Sequence, residues 1–194
     1  MTPFTIVTGQ ATALGRANVD TDQILPARFL RKPRSAGYQN FLFHDVRLAE
    51  PGFALGPVGN NPILVADANF GCGSSREGAV YALVDGGVRC VIAPSFGDIF
   101  AGNAGKNGLL VVVLPADQCA ELRARADAGD EITVDLQAQQ VRAANVAYGF
   151  TIDPFRKRCL LEGLDDIGIT LANADAIAAF EVADTAARPW AVPA

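Results

Sequence analysis

Three short runs constrain this chain most: ILVA at 63–66, RCVIA at 89–93 and LLVVVL at 109–114. Each is continuously apolar and rich in branched side chains, without the alternation of a strand that keeps one face wet. The segments between them, SREGAVYALVDG and FGDIFAGNAG, have helical character. Strands covered on both faces and joined by helices predict an α/β core with parallel pairing. Downstream, PADQCAELRARADAG (115–129) predicts a helix with one apolar face and a glycine stop. EITVDLQAQQVRAA then alternates polar and apolar residues around a turn, as an antiparallel hairpin does, so the predicted sheet is mixed. ADAIAAFEVAD predicts a terminal helix, and residues 184–194 a loosely held tail.

A length of 194 residues suits one domain with a full core, and the chain reads as a single domain over 1–194. Half the residues are apolar and 19% are charged, a globular balance. The formal net charge is -5 and the basic residues are scattered, which argues against nucleic acid as a partner. No apolar run approaches a bilayer span and the first residues lack a signal-peptide pattern, so no membrane is expected and the location is read as cytoplasmic. Cys72, Cys90, Cys119 and Cys159 stand far apart, with one histidine in the chain, so no metal site is expected. Proline and glycine mark RFLRKPRSAGY (28–38) and AEPGFALGPVGNNP (49–62) as loops.

The segment NFGCGSSREG (69–78) carries the chemistry. Strand, glycine loop and helix start bring backbone N–H groups to one point, where the helix dipole favours an anion. Ser74 and Glu77 fit an S-x-x-E capping box, which would account for one serine but leaves Arg76, Gly71 and Gly73 unexplained. A dinucleotide site needs a glycine where Arg76 stands, and a phosphate loop needs a lysine after the last glycine; both are absent. A serine hydrolase would lack G-x-S-x-G, and its base would be His44. There remains a serine hydroxyl in an electropositive nest beside an arginine whose planar fork matches a carboxylate. Such a serine can exchange a proton with carbon without forming an acyl-enzyme.

Taken together, NVDTDQILPARFL, NFGCGSSRE, VIAPSFGDIF, KNGLL and GLDDIGITL resemble the small subunits of bacterial 3-isopropylmalate dehydratases, of the aconitase family. The resemblance covers most of the chain and implies a three-layer β/β/α swivel-like domain. It implies a large partner subunit that holds a 4Fe-4S cluster, none of it bound by this chain, and a small hydroxy-dicarboxylic acid as substrate. By the same resemblance Ser74 is the catalytic base, Ser75 and Arg76 bind substrate, and Asp22 orients the site. The loop FLRKPRSAGY would recognise the substrate's variable arm, with Arg31 as a contact and Phe29 and Leu30 as apolar walls. One position departs from the family pattern: R-E-H-A is usual, and this chain reads REGA, with Gly78 in place of the histidine. That departure keeps two other readings open, a dehydratase for another branched acid of the citraconate or dimethylmalate type, and a non-catalytic anion-binding paralogue.

Overall fold

In the computed structural model, which describes residues 1–53, 55 and 61–191, one strand joins the parallel and antiparallel halves of a single sheet. The outer half of β1 (Ile6–Leu14) pairs antiparallel with β5 (Glu131–Asp135), Ile6 opposite Asp135 and Gln10 opposite Glu131. Its inner half pairs parallel with β2 (Ile63–Ala66), Ala11 opposite Ile63 and Leu14 opposite Ala66. Beyond β2 follow β3 (Cys90–Ala93) and β4 (Leu110–Val113), both parallel; beyond β5 follow β6 (Gln140–Ala143) and β7 (Val146–Gly149), both antiparallel. The order is β4-β3-β2-β1-β5-β6-β7. The expected mixed sheet is present, and β7 is a strand that VAYG, too short for a pattern, did not announce.

Period-2 geometry sorts the continuous apolar runs into two cores. Leu64, Ala66, Val91 and Ala93 face a core shared with α1 (Thr21–Ile24), α2 (His44–Ala49), α3 (Glu77–Asp85) and α4 (Asp98–Lys106). Ile63, Val65, Cys90, Ile92, Leu110 and Val112 face the other core, which holds Cys119 and Leu122 of α5 (Ala116–Asp127). Ile132, Val134, Val141 and Ala143 of the antiparallel strands line that second core as well, so the sheet curls to cover it. Helices, parallel strands and the antiparallel strands thus form the three layers expected.

Asp153 caps α6 (Pro154–Glu162) by accepting from the Arg156 amide, and Cys159 and Leu160 anchor it. By contrast α7 (Asp166–Leu171) and α8 (Ala174–Ala187) bury no residue, and a short 3₁₀ turn, Pro189–Ala191, follows. Of the loop read at 49–62, residues 54 and 56–60 lie outside the described residues, as do 192–194 of the tail. The exposed loop read at 28–38 folds into 3₁₀ turns, Ala27–Arg31, Arg34–Ala36 and the start of Tyr38–Phe41, with Tyr38 buried.

Candidate active site

Parallel strands align their carboxyl ends on one edge, and the loops that follow them meet there. The loop after β2, residues 69–76, lies between the loop after β1 and the loop after β3. Gly71 N–H donates to the Val19 carbonyl at 2.7 Å, and Thr21 N–H to the Cys72 carbonyl at 3.0 Å. On the other side Phe70 N–H donates to the Ser95 carbonyl at 3.1 Å and Gly97 N–H to the Phe70 carbonyl at 2.9 Å. Gly71 (φ +73°) is in the left-handed region, and a Cβ there would overlap the Phe100 ring. A Cβ at Gly97 would lie 2.5 Å from the Gly71 carbonyl oxygen. The two glycines let two loop backbones touch, and Gly73 (φ +85°) completes the turn toward Ser74.

Ser74 is held through its main chain: the buried Thr21 hydroxyl donates to the Ser74 carbonyl at 2.8 Å. Both Ser74 and Ser75 are exposed, and neither hydroxyl is engaged by another described residue. The capping box expected of Ser74 and Glu77 does not form. Arg76, in an extended conformation, is the N-cap residue of α3 and supplies no side-chain cap, while Glu77 Oε1 accepts from Asn107 Nδ2 at 2.8 Å. The serine lies too far upstream of the first helical turn to reach its amides, which leaves both hydroxyls available. A capping box does exist in the loop after β1, where Asp20 accepts from the Gln23 amide at 2.7 Å and Gln23 Oε1 accepts from the Asp20 amide at 3.2 Å.

Asp22 lies beside Arg76 in the folded chain. Its Oδ1 accepts from Arg76 Nη1 and from the Ala27 amide, the latter at 2.8 Å. The Arg76 hydrogen bond holds the Asp22 carboxyl below the usual carboxylate range. Arg76 is 17% exposed and Asp22 54%, so the guanidinium is anchored from one side on a fairly wet partner. Asp98 and Ile99 were not singled out in the sequence. They line, with Gly71, Cys72, Gly73, Ser74, Gly97 and Phe100, a cleft of about 260 Å³. The glycine before Asp98, at the start of a predicted helix, was the available signal.

The segment at 28–38 contributes no residue to that cleft. Phe29 stacks on Phe41 with centroids 4.2 Å apart. Leu30 covers Gly78 of α3, and Arg31 is exposed, with no partner among the described residues. His44 is 3.0 Å from Asp45 Oδ1 and packs edge-on against Phe29, so its ring contacts involve neither serine. Among the described residues no group of three or more His, Cys, Asp and Glu side chains could hold a metal. Burial pushes the Cys119 thiol up to about 11 and raises that of Cys90, keeping both protonated.

Comparison with known proteins decides the family. The chain is 48% identical over 200 aligned residues to the 3-isopropylmalate dehydratase small subunit of Xanthobacter autotrophicus, covering 98% of this chain and 100% of that protein. The chain belongs to the 3-isopropylmalate dehydratase small-subunit family. Residues 58–117 match the family model for the aconitase C-terminal domain and 120–154 the LeuD_N model. Residues 166–194 match the model for the C-terminal domain of the 3-isopropylmalate dehydratase small subunit. The first of these spans β2, the 69–76 loop, α3, β3, α4 and β4, which carry Ser74, Ser75, Arg76 and the cleft, while Asp22 and Thr21 lie before it. Among solved structures, the 3-isopropylmalate dehydratase of Methanocaldococcus jannaschii superposes with a TM-score of 0.69 at 28% identity, covering 91% of this chain and 99% of that one. As a small-subunit family member the chain is a component of a hydro-lyase. No helix among the described residues is long and apolar enough to cross a membrane.

Proposed function

We propose that this chain is the small subunit of a heteromeric hydro-lyase that interconverts 2-isopropylmalate and 3-isopropylmalate through isopropylmaleate in leucine biosynthesis. It works in the cytoplasm as one swivel-like domain, residues 184–194 forming its tail, closed over a large subunit that holds the 4Fe-4S cluster. The observation that carries this reading is the 48% identity across the full length of a named small subunit. The exposed, uncapped serines beside an anchored arginine support it.

In this reading Ser74 Oγ, as alkoxide, takes the proton from substrate carbon; the C–H pair becomes the double bond and the hydroxyl leaves with the C–O pair. Rehydration reverses these steps with the hydroxyl on the neighbouring carbon. The alkoxide is favoured by the positive charge of the neighbouring Arg76, in a site that closure keeps from water. Arg76 holds a substrate carboxylate with the part of its fork that Asp22 leaves free, and Ser75 hydrogen-bonds the substrate. Phe29, Leu30 and Arg31 face the variable arm. The described residues of this chain do not offer the donor set of a cluster; when bound to the large subunit, the cluster supplies a Lewis acid for the leaving hydroxyl.

Gly78 favours a second reading in which only the acid differs, a citraconate or dimethylmalate type, because it departs from the R-E-H-A pattern at a position against which Leu30 packs. Reconstitution with the large subunit under anaerobic conditions, followed by isopropylmaleate absorbance, tests both. Turnover is expected only with both chains, and Ser74→Ala is expected to lower it about 10²–10⁴-fold with an unchanged melting temperature. Absence of turnover, with the complex and an intact cluster demonstrated, would overturn the leucine-pathway reading; turnover of another branched acid would establish the second.

A further inference from the structure

On the parallel side the sheet ends at β4, which pairs with β3 alone. The Leu110 amide donates to the Arg89 carbonyl at 3.0 Å and the Leu114 amide to the Ala93 carbonyl at 3.3 Å. Successive residues of a strand turn their main-chain groups to opposite sides, so Val111 and Val113 present N–H and C=O away from β3. Neither has a main-chain partner there among the described residues. Folded proteins commonly blunt such an edge with a lysine, a proline or a bulge. The edge LVVV carries no charge and no proline, and its register with β3 runs without a bulge. Val113 is 56% exposed. A mostly apolar groove of about 350 Å³ opens beside this edge, bounded by Val111 and Val113, by Ala101 and Gly105 of α4, and by Thr151 and Ile152 ahead of α6. Asp98 lines both this groove and the cleft that holds Ser74, so the two share a wall.

We propose that the free edge of β4 is a docking surface for the large subunit, which lays an extended segment along Val111 and Val113 as an eighth strand of the sheet. The inference rests on the hydro-lyase reading given above in needing a large subunit that covers the cleft. The shared wall commits the edge to that partner: a chain that closes over Ser74 meets Asp98, and beyond Asp98 lies the groove. Main-chain groups of the added strand pair with the outward amides and carbonyls of Val111 and Val113, and its alternate side chains enter the groove. The small residues Ala101 and Gly105 on the groove wall suit branched apolar side chains, so the segment sought is extended and apolar at every second residue.

The test is amide hydrogen exchange on the small subunit, free and in the reconstituted two-chain enzyme. The Val111 and Val113 amides are expected to exchange about tenfold or more slowly in the complex than in the free chain. Affinity for the large subunit is measured in parallel with Val113→Lys and Val113→Pro, the second of which removes an N–H that the β3 ladder does not use. Both are expected to weaken binding about tenfold or more, with the urea midpoint of the free small subunit near wild type. If Val113→Pro does not fold, the exchange data and Val113→Lys decide. Unchanged exchange at these amides, in a complex that turns over 2-isopropylmalate, overturns the inference while the hydro-lyase reading stands. So does wild-type affinity in both variants, or a loss with lysine alone, which would mark side-chain contact without an added strand. Protection that arises in the small subunit alone and grows with its concentration would assign the edge to a second copy and overturn the inference too. Protection in a complex that turns over neither isopropylmalate isomer would overturn the hydro-lyase reading and keep the docking edge.

Discussion

The loop at 69–76 and the segment at 27–43 meet at Asp22 and Gly78, yet they are held in place by different kinds of contact. The loop is fixed by main chain against main chain: amide to carbonyl at Val19, Ser95 and Gly97, and glycine backbone against glycine backbone. The segment is fixed by side chains. Phe29 stacks on Phe41, the Tyr38 hydroxyl reaches the Lys32 carbonyl, Arg28 pairs with Asp45, and Arg34 pairs with Asp85 at 2.6 Å. Main-chain clamping leaves the serine hydroxyls free for chemistry, whereas side-chain clamping lets a substitution reshape the wall without moving the serines. In the hydro-lyase proposed above, a division of this kind would allow substrate preference to change while the serines keep their place.

The comparison breaks most sharply at Gly71. Gly71→Ala combines a strained left-handed residue with overlap on Phe100, and is expected to cost roughly 2–5 kcal/mol in a urea titration and to abolish turnover of the reconstituted enzyme. A cost under about 1 kcal/mol would mean that the loop is not clamped by its backbone. A smaller effect is expected on the other side: Phe41→Ala removes the stacked ring beneath Phe29 and should cost about 1–2 kcal/mol, raising KM several-fold while kcat on the same acid stays within about twofold. A fall in kcat instead would tie the segment to the chemical step.

The smallest effect concerns pH. Because the folded-state pKa of Asp22 is depressed, the pairing with Arg76 contributes fully above the unfolded value of about 3.9 and is lost as pH falls through the lower folded value. Its exposure limits the contribution to about 1 kcal/mol or less. Comparing Asp22→Asn with wild type by urea midpoints from pH 6 down to pH 2.5 should show the difference shrinking toward the acid end. A difference independent of pH would remove charge from the explanation of how Arg76 is anchored.

What could be read from the sequence follows from how local the determinants are. The strands β2, β3 and β4 were legible because burial on both faces leaves a continuous branched apolar run, and α5 because its face and glycine stop lie within fifteen residues. The capping box that Ser74 and Glu77 fit by spacing is not formed because S-x-x-E records spacing alone, while α3 begins after Arg76 in an extended conformation and Glu77 turns to Asn107, thirty residues away. The partner of Ser74, Thr21, is 53 residues distant, and the seat of Leu30 on Gly78 is visible only once helix and turn are packed. The glycine was noticed as a departure from a family pattern; its neighbour was not foreseeable.

The shared strand has a consequence for the order of assembly. The inner half of β1 finds its partner when residues 63–66 emerge, but Ile6–Gln10 wait for residues 131–135. At a synthesis rate of about 5–20 residues per second, that half-strand is an open edge for roughly 6–25 s on the ribosome. Thr8, Gly9 and Gln10 make one end of that half-strand a poor template for stray pairing, while Ile6 and Val7 stay open until the hairpin arrives to close the sheet.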